Sequence, residues 1–534
     1  MQKYWTGRRS NMLNSQAAIK KIESCLASFS VIILFTISQS AHADTVSDQS
    51  PVDENELGQK SKQELLDIMH RILRLHPEIS KELSEQQEDP PAVVPEKVVE
   101  KATPEQPPEQ KPEGLPAWIP KLLGMQFNGI YQNVPGFRSP YEGERSFTTA
   151  GGEGHNLTHI YGAYIGSQVL PSLQAYVDIE MAKGSGISKG QGLGGYTDGD
   201  VIRTGTIELG TGPYVARAYL RYYYALSSET EKMERGQDQL PGDEPISRVE
   251  IKAGKLSVAD DFDLNSYANN TRTQFLNYSF INNTAWDYAG DTRGYSYGFV
   301  VSLFQPKWRL AVGSYQMPTT ANGNIFDEHI LQAQGTNLEL TLKPDDVGTV
   351  IRLLTYLNQA SMGSYADAIA IGNATSAVPS VLANEAPGRT KYGFGLNFEQ
   401  PLADNGETGI FGRVGWNDGH NETFVYTEVD QEVSAGVQIS GIHWKRAEDH
   451  WGIAYAVDGL SSQHKDYLAD GGIGMLLGDG KLNYGLEQIL ETYYRVQIGK
   501  YVQVSPDFQY IINPGYNRDR GPAAVYSMRL RLSY

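Results

Sequence analysis

The chain has 534 residues, 63 acidic against 45 basic, and a formal net charge of −18, a balance that argues against nucleic acid as a partner. Its mean hydropathy is −0.41, and no apolar run reaches the roughly 18 to 20 residues of a spanning helix, so the helical membrane class is excluded. The single cysteine, Cys25, leaves no disulfide framework to consider.

Residues 1–43 read as an export signal. Lys20 and Lys21 precede the apolar stretch Leu26 to Ile37, and Ala41-His42-Ala43 supplies a small-x-small cleavage pattern, with Met12 as an alternative start. Cleavage there removes a net +4 and leaves −22. Residues 44–88 read as a segment with a short helix, with Leu65, Ile68, Ile72, Leu75 and Ile79 on one stripe interrupted by Pro77. Residues 89–120 read as a Pro-rich, semi-rigid linker. The segment reads as a disordered tail, an oligomerising helix, or a tether for a periplasmic or cell-wall partner.

From Met125 to the end the pattern has period 2. Tyr176, Asp178 and Glu180 alternate with Val177 and Ile179; Arg217, Tyr219, Arg221 and Tyr223 alternate with Ala216, Ala218, Leu220, Tyr222 and Tyr224. Strands are predicted to begin near Met125, Leu157, Leu173, Val215, Ser247, Tyr295, Trp308, Thr336, Thr349, Lys391, Thr408, Gln431, His450, Ile489, Tyr501 and Ala524. That is about sixteen strands of roughly 8 to 12 residues, with long and short connections taking turns, and residues 121–534 are read as an all-β transmembrane antiparallel barrel with a wet lumen. The fourth connection is too long for the alternation.

The closing stretch AVYSMRLRLSY places Tyr526, Met528, Leu530, Leu532 and Tyr534 toward lipid and Arg529 and Arg531 toward the pore. Its terminal aromatic, Tyr534, resembles the signal read by the outer-membrane barrel assembly machinery. Arg352, Arg413 and Arg495 share lumen parity, facing acids such as Glu250, Glu339, Glu399, Glu491 and Asp507. The outward tyrosines Tyr222, Tyr224, Tyr510, Tyr526 and Tyr534 fit interfacial girdles in contact with outer-membrane lipid.

Catalytic signatures of the HExxH and P-loop kinds are missing, and the GxSxG matches, Gly186 to Gly190 and Gly294 to Gly298, are followed by a glycine-rich stretch and a strand pattern rather than the helix a nucleophile elbow needs. His155 and His159 have no completing ligands, and His159, which shares parity with Leu157 and Tyr161, has no partner serine in a supporting context. No enzyme, cofactor or resident metal is expected, with calcium at Ala259 to Asp263 (ADDFD) as the one alternative.

The blocks GKLSVADDFDLNSYANNTRTQFLNYSFINNTAWDYAGDTRGYSYG (Gly254 to Gly298), YLADGGIGMLLGDGKLNYGLEQILETYY (Tyr467 to Tyr494), INPGYNRDRGP (Ile512 to Pro522) and PYVARAYLRYYY (Pro213 to Tyr224) resemble the carbohydrate-selective porin family, OprB type. The resemblance implies a sixteen-stranded barrel of the Gram-negative outer membrane that passes small sugars by diffusion. It also implies that the third outer connection, 257–294, folds inward and narrows the pore. That loop carries Asp260, Asp261, Asp263, Asn269, Asn270, Arg272, Gln274, Asn277, Trp286, Asp287 and Arg293, polar planes and a ring suited to sugar hydroxyls and sugar faces. Arg217 and Arg221, roughly 13 Å apart on one strand, and Glu250 adjoin it. The expected constriction is therefore Arg217, Arg221, Glu250, Asp260, Asp261, Arg272, Trp286 and Arg293. A general or cation-preferring porin and a polysaccharide-export or envelope-tethering barrel are the alternatives.

Overall fold

The computed structural model describes residues 120–148, 155–200, 210 and 212–534. The expected export signal, helix and linker lie outside the described residues.

Sixteen strands close into one antiparallel barrel among the described residues. They are β1 (Leu122–Asn133), β2 (His155–Leu170), β3 (Leu173–Lys183), β4 (Tyr214–Ala225), β7 (Arg248–Leu256), β8 (Ser296–Gln305), β9 (Trp308–Gln316), β10 (Gln334–Leu342), β11 (Val350–Met362), β12 (Ala386–Ala403), β13 (Thr408–Asn417), β14 (Gln431–Ser440), β15 (His450–Gly459), β16 (Glu487–Ile498), β17 (Val502–Ile512) and β18 (Ala523–Ser533). Each pairs with its neighbours, and β18 closes on β1 from Gln126–Ser533 to Asn133–Tyr526. Closure leaves no unpaired strand edge, which a hydrocarbon environment would not tolerate.

The two parities have opposite environments. On β18 Met528 is 46% exposed and Leu532 41%, while Arg529 between them is 1% exposed. The expected lipid and lumen faces are therefore those observed. The girdle tyrosines also point outward, with Tyr222, Tyr224 and Tyr534 at the rim that carries both barrel termini and Tyr510 and Tyr526 near the other. Ala216 departs from its expected outward place. A bulge sets Asp178 opposite Arg217 and Ile179 opposite Val215, so Ala216 is fully buried and Val215 takes the outward position.

Connections at the terminal-bearing rim are short, such as 171–172, 306–307 and 499–501. The fourth connection, 226–247, is the exception: it contains a two-stranded hairpin, β5 (Thr230–Met233) and β6 (Gly242–Pro245). At the opposite rim the long connections carry α1 (Tyr365–Thr375) and α2 (Ser462–Ala469), capped by the Ser364 and Ser461 hydroxyls, which accept from the Asp367 and His464 amides. The third long connection, 257–295, enters the barrel and is mostly buried. These two inward excursions, one from each rim, shape the lumen.

Candidate functional site

An inward loop needs partners for its backbone amides, since it has left the strand ladder. Here the barrel wall provides them from alternate strands. Glu339 on β10 accepts from the Asp263 amide at 2.7 Å, Glu399 on β12 from Ser266 at 2.5 Å, Glu432 on β14 from Thr284 at 2.5 Å, and Glu491 on β16 from Leu276 and Asn277 at 2.5 and 2.9 Å. Arginines take the loop carbonyls: Arg413 donates to Ala268 (2.7 Å) and Phe280 (3.1 Å) and pairs with Asp263 at 3.0 Å, while Arg529 donates to Thr271 and Gln274. Many lumen charges thus hold the third loop rather than line open water.

Between this loop, the β4–β7 wall and residues 237–239 lies a cavity of about 470 Å³. Arg217, Asp260, Arg272 and Arg293 line it, together with Asn269, Asn270 and Lys252. Arg217 forms a two-point pair with Asp260 at 2.6 and 2.7 Å and also meets Asp178 at 3.1 Å and Asp238 at 3.6 Å. Arg272 bridges Glu180 at 3.0 Å and Asp200 at 3.1 Å. The Arg293 guanidinium lies 4.3 Å from the Tyr214 ring centroid and has no carboxylate within salt-bridge distance among the described residues. Tyr196, Tyr219, Tyr278, Tyr288, Tyr295 and Tyr426 complete the wall, and the Tyr278 and Tyr288 hydroxyls meet at 2.7 Å.

A second cavity of about 300 Å³ lies toward the terminal-bearing rim. It shares Asp238, Gln239, Lys252, Asp260 and Leu264 with the first, and the shared residues mark the neck between the two. Arg221, Glu250 and Asp261 belong to this second chamber. Arg221 holds Glu244 through two bonds at 2.5 and 2.6 Å and Glu250 at 2.6 Å; Asp261 accepts from Lys252 at 2.8 Å. Seven of the eight expected residues therefore meet at the two chambers, and Trp286 does not. Its ring is buried beside Phe262 and Tyr288, and its indole N–H donates to Asn337 at 2.8 Å, so it anchors the loop to the wall. Gln274, Asn277 and Asp287 are likewise buried scaffold. The expected calcium alternative does not assemble: Asp260, Asp261 and Asp263 turn to Arg217, Lys252 and Arg413 respectively.

The hairpin connection is the component that sequence reasoning missed. Its apex enters the barrel: Gln237 donates to Asp178 at 2.9 Å, the Leu240 amide donates to the Tyr176 hydroxyl at 3.2 Å, and Glu244 meets Arg221 and Arg248. Asp238 there has φ 53°, and burial pushes its carboxyl up to about 8 against the opposing pull of Arg217. The overlong fourth connection was the available signal, because a simple turn at that rim needs only a few residues.

The chain matches the model for "Carbohydrate-selective porin, OprB family" over residues 173–534. Among curated proteins, Porin AaxA of Chlamydia abortus is 23% identical over 289 residues, 54% of this chain and 55% of that one, so the chain spans about half the length of this relative. Among solved structures, OprB of Pseudomonas putida in its high-pH form superposes with a TM-score of 0.57 at 14% identity, covering 77% of this chain and 94% of that one. The outer membrane channel DcaP of Acinetobacter baumannii gives a TM-score of 0.40 at 12% identity, over 77% and 96% of the two chains. The family match and the closed sixteen-strand barrel together mark a porin of the Gram-negative outer membrane, in which the short-turn rim is the periplasmic one. The chain belongs to the carbohydrate-selective porin family, OprB type.

Proposed function

We propose that the barrel passes small neutral sugars by passive diffusion, and that selection occurs at the neck between the two chambers. The observation that carries this reading is the neck: its Asp238 and Asp260 hold Arg217 between them on the side of the first chamber, whose wall is rich in tyrosine rings. Planar guanidinium and carboxylate groups bridge adjacent hydroxyls, and rings cover the apolar face of a pyranose. Arg217, Asp260, Arg272 and Arg293 are the proposed sugar contacts. Arg221 and Glu250 set the position of the hairpin beneath them, and Asp261 steadies Lys252. No catalytic role is assigned to any of these groups.

The test is single-channel current in a planar bilayer during titration with glucose. Saturable block that weakens in Arg217→Ala supports the reading; current that changes only with solution viscosity contradicts it. One observation favours a cation-preferring pore instead, the three carboxylates around a single arginine at the neck. That reading predicts a cation preference that added sugar leaves unchanged. Two further roles complete the proposal: Tyr534 presents the terminal strand to the assembly machinery, and residues 44–120 reach a periplasmic or cell-wall partner.

A further inference from the structure

The wall arginines fall into two groups. Arg217, Arg221, Arg352 and Arg413 each have a carboxylate within 4.0 Å. Arg495, Arg529 and Arg531 have none among the described residues, although they stand close together. Arg529 is paired in register with Ser505, and Arg531 with Gln503. Arg495 lies level with Ser505, between the registered pairs Tyr493–Asp507 and Val496–Val504. With strands about 4.8 Å apart and about 3.4 Å per residue, Arg529 lies about 7 Å from Arg531 and about 10 Å from Arg495 between Cα atoms, and Arg495 and Arg531 are about 12 Å apart, a span their side chains can bridge.

Arg529 is fully buried and spent on the loop carbonyls of Thr271 and Gln274. The other two are half-buried and under-used. Among the described residues, Arg495 reaches the Thr273 carbonyl at 3.5 Å and His450 Nδ1 at 2.5 Å, Arg531 reaches only Gln503, at 3.4 Å, and the Nε atoms of both are buried without a hydrogen-bond partner. Of the acids around them, Glu407 is bonded to His450 and Asp507 meets the Gln509 amide, and neither comes within 4.0 Å of these guanidinium groups. Clustered guanidinium groups without a counter-charge repel one another, and unmet buried donors cost free energy.

We propose that Arg495 and Arg531, with Arg529 behind them, form an anion site on the periplasmic side of the third loop that takes the carboxylate of a small acidic sugar. This rests on the reading of the lumen as a sugar path. The guanidinium fork matches a carboxylate through paired bonds, while Gln503, which donates to Gln497 at 2.8 Å, holds Arg531 only through one long contact. Neutral sugars would pass the same point without pausing.

The test compares block of single-channel current by D-glucuronate and D-glucose, and measures reversal potential in a KCl gradient. Wild type is expected to be half-blocked at a lower concentration of glucuronate than of glucose. Arg531→Gln and Arg495→Gln are each expected to raise the glucuronate value about tenfold, as loss of a charged hydrogen bond does, leave the glucose value within about twofold, and shift the reversal potential toward cations. Arg531→Lys, which keeps the charge, is expected to retain the anion shift and controls for folding. Equal block by both sugars in wild type overturns the proposal, as does an unchanged glucuronate value in both Gln variants. If glucose fails to block at all, the neck reading fails, while the glucuronate and reversal-potential arms still decide the anion site.

Discussion

Raising the pH through about 9 is expected to release the clasp that ties together the outer connections 363–385, 418–430 and 460–486. At its centre His464 on α2 is fully buried; its Nδ1 lies 3.0 Å from Asp430, its Nε2 lies 3.2 Å from the Tyr365 hydroxyl, and its ring stacks on Tyr365 at 4.3 Å. Glu428, 3.7 Å away, accepts from the backbone amides of Leu476 and Leu477 at 2.9 and 2.7 Å. Against the desolvation that lowers it, the Asp430 and Glu428 carboxylates hold His464 up at about 9. A folded-state value above the unfolded one gives stability that is fully present below about 6.5 and lost as the pH rises through about 9. The rise from 6.5 to about 9 corresponds to roughly 3–4 kcal/mol, or about 300-fold in the opening equilibrium of the clasp. Asp430, pulled down to about 2 by His464, sets the acid limit: its contribution is present above about 4 and lost as the pH falls through about 2. The two shifts describe one interaction and are not added. Hydrogen exchange of peptides within 460–486, corrected for intrinsic rate, should show opening rise steeply between pH 8 and 10 in wild type. In His464→Gln it should already be raised at pH 7 and respond far less to pH. Flat opening across that range in wild type would refute the argument.

Three other outcomes follow from the geometry. Arg413→Met removes a fully buried cation from the Asp263 carboxylate and four loop carbonyls, and should cost roughly 3–5 kcal/mol in denaturant assays because the buried carboxylate loses its partner. Glu244→Ala frees the hairpin from Arg221 and should raise single-channel conductance while reducing discrimination between mono- and disaccharides; unchanged conductance would show that the hairpin does not narrow the path. Trp286→Phe should lower stability by about 1–3 kcal/mol through the unmet Asn337 acceptor yet leave sugar affinity within about twofold, whereas a large loss of affinity would place the ring in the sugar path.

The barrel was legible because strand parity reports the solvent on each side. Arg529 and Arg531 alternating with Leu530 and Leu532 could face only water and lipid respectively, and repetition of that choice along the chain fixes the strand number. Parity says which face a residue takes but not what it meets there. Glu339, Glu399 and Glu491 were correctly placed in the lumen, but their partners are backbone amides of the third loop, which have no side-chain signature. Trp286 misled for a related reason: a ring in a polar loop suits a sugar face and a buried anchor equally well until the wall behind it is known. Ala216 was lost to a bulge, where one extra residue changes the parity without changing the pattern of residue types. The hairpin at 226–247 showed only as excess length, because its contacts with Arg217, Arg221 and Asp178 join segments far apart in sequence.

The most direct test of the central claim is swelling of proteoliposomes containing the folded barrel in isosmotic neutral sugars. The account predicts rapid uptake of monosaccharides, slower uptake of disaccharides, and a monosaccharide rate that changes when Arg217 or Asp260 is substituted. Liposomes that admit ions but exclude every sugar, or that take up sugars at rates set by size alone and indifferent to both substitutions, would contradict it.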